Sequence, residues 1–127
     1  MRRWWNRWFG DAGERAAARF LRRLGFKIVC RQYRNEFGEL DLIAIDGDWL
    51  VFVEVKTRRG DGKGTPAEAV TPEKQRRLTR TARAFIKQRR LERFRSRFDV
   101  VGVTWQEGRR APLIEHFPHA FPAADTN

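Results

Sequence analysis

The sequence predicts a single α/β domain: a mixed sheet with a helix on each face, in the order αβββαβ. Three observations predict it. Helix start and stop signals bracket two amphipathic segments, alternating apolar runs fall between them, and another apolar run follows the second helix. At 127 residues, with 41% hydrophobic and 13% aromatic content, the chain is long enough for one core and too short for two.

Residues 11–24 read as the first helix, with Asp11 as N-cap, Glu14 completing a capping box and Gly25 as the stop. Ala17, Phe20, Leu21 and Leu24 form its core face, and Arg15, Arg19, Arg22 and Arg23 take the remaining surface. A strand over 26–33 follows, centred on Ile28 and Val29, with Cys30 as a small core residue. Residues 34–38 form a turn. Strands over 39–45 and 49–56 flank Asp46-Gly47, a short hairpin signal. Val51, Val53 and Val55 alternate with Phe52 and Glu54, so this strand is mostly apolar on both faces, as a central strand is. Residues 58–64 are polar and glycine-rich and read as a loop. Thr71 as N-cap, Pro72 at the first helical position and Glu73 in the first turn open a helix that runs to about Arg90. It is long enough to cross over to a parallel strand at 98–105, and 113–117 adds a short edge strand. That leaves residues 1–9 as an Arg/Trp arm and 119–127 as a loose tail, with no internal repeat and no second domain.

Lys+Arg number 27 against 16 Asp+Glu, a net charge of +11, and all but five of the cations are arginine. A small domain this basic is suited to a polyanion, and arginine suits bidentate phosphate contacts and stacking on bases. A GC-rich genome gives the same arginine bias. One cysteine excludes an intrachain disulfide and a cysteine metal cluster. No apolar run spans a bilayer, and the basic N-terminus lacks an apolar segment after it, so the cytoplasm is the default location.

The chemistry concentrates in Gly38-Glu39-Leu40-Asp41-Leu42-Ile43-Ala44 and Val51-Phe52-Val53-Glu54-Val55-Lys56. Ionised groups in apolar strands are costly unless paired or metal-bound. With Asp46-Gly47 as the two-residue loop, Asp41 faces Phe52 and Glu39 faces Glu54. Glu39, Asp41, Glu54 and Lys56 then project to one side, with Asp41 and Glu54 diagonal. A three-residue loop would send one strand's set to the opposite face. Two close carboxylates repel unless a cation lies between them, and Mg²⁺ suits one or two carboxylates, waters and phosphate oxygens. Lys56 adds a charge that orients water or stabilises a transition state. A buried Glu54–Lys56 or Asp41–Lys56 ion pair without chemistry is the competing reading.

Asp41 followed by Glu54-Val55-Lys56 in this element order resembles the PD-(D/E)XK nuclease superfamily. Gly13-Glu14-x-x-Ala17, Gly38-Glu39-Leu40-Asp41-Leu42-Ile43, Phe52-Val53-Glu54-Val55-Lys56-Thr57-Arg58 and Thr71-Pro72-x-Lys74-Gln75 more closely resemble the YraN-type family of small bacterial proteins, which is similar to archaeal Holliday-junction resolvases. The resemblance covers roughly residues 10–118, with Leu40 in place of the eponymous proline. It implies a restriction-endonuclease-like αβββαβ core and Mg²⁺ or Mn²⁺ as cofactor. By it, Asp41, Glu54 and the Val55 carbonyl would be metal ligands, Lys56 the catalytic lysine and Glu14 an additional acid. Gln75 matches a polar helix residue that approaches the site in some relatives. Glu14 has a competing role at the helix start, favoured by the dipole, and Glu39 either stands behind the ligands or is solvated at its strand end. The implied partner is nucleic acid, DNA in particular, and resolvases act as homodimers.

On the second helix Arg76, Arg80, Arg83, Lys87 and Arg90 follow helical spacing in a stripe without acids, a phosphate-binding pattern. Lys74 opens the same helix, and Arg58, Arg59 and Lys63 lie after the acidic hairpin, where they could clamp a backbone. His116 and His119 read as surface histidines. The combined expectation is a metal-dependent endonuclease acting on branched or structured DNA. A non-catalytic nucleic-acid-binding module on the same fold remains open, as does a membrane- or partner-docking protein using the tryptophan arm.

Overall fold

The computed structural model describes residues 2–60 and 64–125, with side chains from residue 11 onward. The expected α/β architecture is present. Helix α1 (Arg2–Arg23) leads into strands β1 (Lys27–Asn35), β2 (Gly38–Asp46) and β3 (Trp49–Arg59). A short 3₁₀ turn (Ala67–Ala69), helix α2 (Pro72–Arg89) and strands β4 (Arg95–Trp105) and β5 (Leu113–Phe121) complete the chain. The five strands lie in sequence order, with β3 and β4 parallel across α2 and the other neighbours antiparallel.

Each face of the sheet carries one helix and one core. Ala16, Ala17, Ala18 and Leu21 of α1 pack on Leu42, Ala44, Val51, Val53, Val101 and Val103. Leu78, Ala82 and Phe85 of α2 pack on Ile43, Leu50, Phe52, Phe98 and Val100. Strand β3 is therefore central: its odd-numbered valines face α1, and Leu50 and Phe52 face α2.

Local signals explain the helix ends. Gly25, at φ 98°, ends α1 in a Schellman arrangement, with Phe26 N–H donating to the Leu21 carbonyl and Gly25 N–H to that of Arg22. Phe26 and Leu21 are buried in the same core cluster, the apolar contact that accompanies this motif. At the start of α2, Thr71 Oγ1 accepts the Lys74 amide at 3.2 Å, as expected of its N-cap. Its C-terminus closes on Arg90 in the left-handed region, with Leu91 N–H donating to the Ile86 carbonyl.

Several boundaries differ from the sequence reading. Helix α1 begins at Arg2, so Asp11 lies inside it and is not its N-cap; the Asp11 carboxylate accepts Gln32 Nε2 at 2.7 Å. The backbone of the Arg/Trp arm continues the helix, while its tryptophan side chains lie outside the described residues. Strand β3 continues through Arg58 and Arg59, which pair with Thr104 and Trp105. The tail is not loose at its start. Strand β5 runs on to Phe121, which is buried and stacked on Phe98, and Ala124 N–H donates to Thr79 Oγ1. The hairpin loop is Gly47-Asp48, since Asp46 pairs with Trp49. Gly47, at φ 60°, is its first central residue, where a II′ turn requires glycine. This moves the β2/β3 register by two from the expected one. An even shift preserves faces and changes partners.

Candidate active site

Strands β2 and β3 pair from Asp46/Trp49 up to Leu42/Val53. The next step of that register would set Asp41 opposite Glu54, so the two carboxyls are direct rather than diagonal neighbours. There the ladder ends. Asp41 Oδ2 accepts the Val55 N–H at 2.8 Å, a side chain taking the place of a ladder carbonyl. Beyond this point β2 is bonded only to β1 and β3 only to β4. The alternation of β2 also breaks here: Leu40 and Ile43 pack in the α2-side core, while Leu42 and Ala44 pack under α1. The parting strands form a fork, and a cleft of about 820 Å³ opens in it.

Seven of the expected site residues line this cleft together: Glu14, Glu39, Asp41, Glu54, Val55, Lys56 and Lys74. Glu14 reaches it because α1 crosses β3 closely at Gly13. A Cβ at Gly13 would stand 2.2 Å from Thr57 Oγ1, so any larger residue there forces Thr57 or α1 to shift. Asp41 is half-buried and Glu54 is 7% exposed. Burial, the Glu54 charge and a hydrogen bond shared with Glu54 push the Asp41 carboxyl up to about 9, against the Val55 amide bond that lowers it. At neutral pH the Asp41–Glu54 pair therefore shares one proton. Glu14 is also raised, chiefly by burial and against a hydrogen bond from Gln32, and its Oε1 is buried with no hydrogen-bond partner.

Lys56 is half-buried on the cleft wall and forms no ion pair among the described residues, so neither of the buried ion pairs weighed for it exists. The partner of Glu54 is instead Lys74, whose ammonium contacts Glu54 Oε2. Lys74, expected to contact nucleic acid from the start of α2, thus stands in the acidic site. Gln75 does not line the cleft: its Nε2 donates to the Val70 carbonyl at 3.0 Å, bracing the entry to α2. Glu39 lines the rim, where it pairs with Arg34 at 3.2 Å as an exposed ion pair.

The remaining basic residues divide between elements. Arg76, Arg80, Arg83, Lys87 and Arg90 are all exposed along α2, as the stripe requires. Arg58 does not face the cleft; its Nη1 donates to the Gly64 carbonyl at 2.9 Å and its Nη2 lies 4.0 Å from Glu115. Arg59 ends β3, exposed, and Lys63 lies outside the described residues.

Arg77 was not singled out by the stripe, yet it lines the cleft. The signal was available. Lys74, Arg77, Leu78 and Thr81 follow one helical line, and all four line the cleft. Among the described residues, no three His, Cys, Asp or Glu side chains gather into a metal-holding group. The acids in direct interaction are the pair Asp41 and Glu54.

A second polar cluster lies outside the cleft. Asp99 is fully buried and bonded by Arg97 Nε at 2.9 Å, His116 Nε2 at 2.8 Å and the His119 amide at 3.1 Å. Burial pushes its pKa up, but these three partners outweigh it and hold the carboxyl below its ordinary value. Arg97 also reaches Asp46 at 3.1 Å, which ties the β2/β3 turn to β4. His116 is therefore an anchored, largely buried residue and not the surface histidine expected.

The family model described as uncharacterised protein family UPF0102 matches residues 13–103, from the glycine against Thr57 into the buried run of β4. The chain is 52% identical over 112 residues to the UPF0102 protein of Rhodococcus opacus (strain B4), covering 88% of this chain and 94% of that protein. It is 52% identical over 117 residues to the UPF0102 protein of Symbiobacterium thermophilum, covering 91% of this chain and 99% of that one. It is 44% identical over 119 residues to the UPF0102 protein of Geobacter sulfurreducens, covering 94% and 92%. This chain, with its YraN-type motifs, belongs to the uncharacterised protein family UPF0102.

Proposed function

We propose that this protein is a metal-dependent endonuclease that hydrolyses phosphodiesters in branched or otherwise structured DNA. The observation that carries the reading is the fork: two facing carboxyls that cannot both stay ionised, on a cleft wall shared with Lys56. Such a pair repels unless a proton or a cation lies between the two carboxyls, and perturbed acids in a cleft are candidates for chemistry. The rim supports the substrate class, since Arg34, Lys74 and Arg77 line the same cleft and offer phosphate contacts.

The donor set fits a hard divalent cation. Asp41 and Glu54 would hold Mg²⁺ or Mn²⁺, with the Val55 carbonyl as a further oxygen, because these ions take one or two carboxylates and complete their shell with water and phosphate oxygens. When bound, the ion would supply Lewis acidity and lower the pKa of a water ligand. The protein residues act around it. Asp41 would hold the ion as its carboxylate, its proton passing to solvent. Lys74, already on Glu54, keeps that carboxylate oriented or moves to a phosphate oxygen. Lys56, without an ion-pair partner among the described residues, would orient the attacking water or stabilise charge on the phosphate. The exposed arginines of α2 would hold the flanking backbone.

The test is to incubate the purified chain with duplex, flap and four-way DNA, with and without Mn²⁺, beside Asp41→Ala, Glu54→Ala and Lys56→Ala. Metal-dependent cutting by the wild type, lost in all three variants while DNA binding persists, is the expected result. Binding that weakens steeply with salt, with no cutting by any form, would overturn the nuclease reading and leave the binding module.

A further inference from the structure

The β1/β2 turn projects an aromatic ring at the mouth of the cleft. Glu36 and Phe37 form the turn between Asn35 and Gly38, which pair across the hairpin. Phe37 is 42% exposed and lines the same cleft as Asp41 and Glu54. Single exposed apolar residues are ordinary on protein surfaces. Three observations set this one apart.

The first is that the turn is tethered. Asn35 Oδ1 accepts the Phe37 N–H at 2.9 Å, and Asn35 Nδ2 donates to the Thr81 carbonyl of α2 at 3.1 Å and to the Tyr33 hydroxyl at 3.2 Å. The Tyr33 ring in turn meets buried Phe85 edge-on at 5.0 Å. The turn is fixed to α2, so Phe37 is held outward rather than left to find a core. The second is its neighbour. A Cβ at Gly38 would lie 3.5 Å from Arg77 Cγ, so the Arg77 stem lies against the backbone of the residue that follows Phe37. The third is charge: Arg34, Lys56, Lys74 and Arg77 line this cleft among the carboxyls of Glu14, Glu36, Glu39, Asp41 and Glu54, so a phosphate beside Phe37 has cations in the same cleft to pair with. A nucleobase next to its phosphate meets both demands, because every base has a π face and a stacked aromatic is indifferent to its identity. Bases within a continuous duplex have those faces covered by their neighbours.

The geometry points to Phe37 as a stacking platform for an unpaired nucleobase, through which the protein selects nucleic acid with unpaired bases beside the cleft over continuous duplex. The inference rests on the nucleic-acid reading above and narrows its substrate. Phe37 positions the strand and takes no part in the chemistry.

The experiment measures binding of the full chain, with EDTA present to prevent cutting, to a gapped duplex carrying 2-aminopurine in the gap and to the same duplex fully paired. Wild type should bind the gapped probe about fivefold or more tightly than the paired one, the lower end of what one base–aromatic stack supplies, and should quench the 2-aminopurine. Phe37→Ala should lose the quench and the preference while keeping the affinity for paired duplex. Phe37→Trp should keep both properties, and Phe37→Leu, which retains apolar bulk, should lose the quench. Thermal melts of each variant identify any loss of folding. If Phe37→Ala retains quench and preference while Arg77→Ala weakens binding to both probes, the stacking inference is wrong and the nucleic-acid reading stands. If the wild type binds neither probe, both fall together.

Discussion

Replacing Asp41 by asparagine tests the carboxyl pair without reference to any substrate. In the folded chain Asp41 keeps its proton up to about pH 9, and in the unfolded chain it loses it near the ordinary carboxylate value of 3.8. Between those limits the native state binds more protons than the unfolded state, so stability falls as pH rises. Asparagine reproduces the protonated form: its carbonyl can accept the Val55 amide and its amide can donate to Glu54. Asp41→Asn should therefore make the metal-free protein more stable than wild type at neutral pH. One titrating group changes stability by at most about 1.4 kcal/mol per pH unit, so the gap should widen by about 1–3 kcal/mol between pH 5 and pH 7 and close towards pH 4. Urea titrations at several pH values in EDTA measure this directly. Adding Mn²⁺ should stabilise wild type at neutral pH and leave the variant unmoved, because an amide is a poor substitute for the carboxylate. A variant no more stable than wild type, or a gap that does not vary with pH, would refute the shared-proton account of the fork.

Two further predictions concern what holds the site in place. Gly13→Ala gains up to about 1 kcal/mol of helix propensity but sets a methyl 2.2 Å from Thr57 Oγ1, and overpacking costs about 1–3 kcal/mol. The variant should lose up to about 2 kcal/mol in urea melts, and Thr57→Ala in the same chain should restore most of it; a more stable single variant would show that α1 is free to move away. Asp99→Ala removes the buried partner of Arg97 and His116 and should lose about 3–5 kcal/mol. Because the folded pKa of Asp99 is depressed, its contribution is present above the unfolded value and lost as pH falls through the lower folded one. The deficit of the variant should thus hold from pH 7 to about pH 4 and shrink below it, which chemical denaturation at acid pH would reveal.

Much of the fold was legible because local rules carried it. Thr71-Pro72 could only open a helix, Gly25 could only end one, and the doubly apolar β3 had to lie in the middle of the sheet. The single-face placement of Asp41, Glu54 and Lys56 was also readable, since a register error of two does not by itself move a residue to the other face. Long-range contacts were not legible. Propensity could not say that an Arg- and Trp-rich segment would extend α1 to Arg2, or that residues beyond Pro118 would pair with β4 and stack Phe121 on Phe98. Lys74 looked like one more cation of a basic helix, because its distance from Glu54 across the crossover appears nowhere in the order of residues.

By itself the sequence determined the element order, the two cores, the acidic strands and the excess of arginine, all of them consequences of periodicity, capping chemistry and composition. Tertiary structure alone decided that β2 and β3 part at Asp41 and Glu54. That parting depends on a side chain taking the hydrogen bond of a ladder carbonyl, on a glycine that lets α1 lie against Thr57, and on a turn pinned to α2. These are contacts between residues far apart in the chain, and they turn a charged hairpin into a cleft.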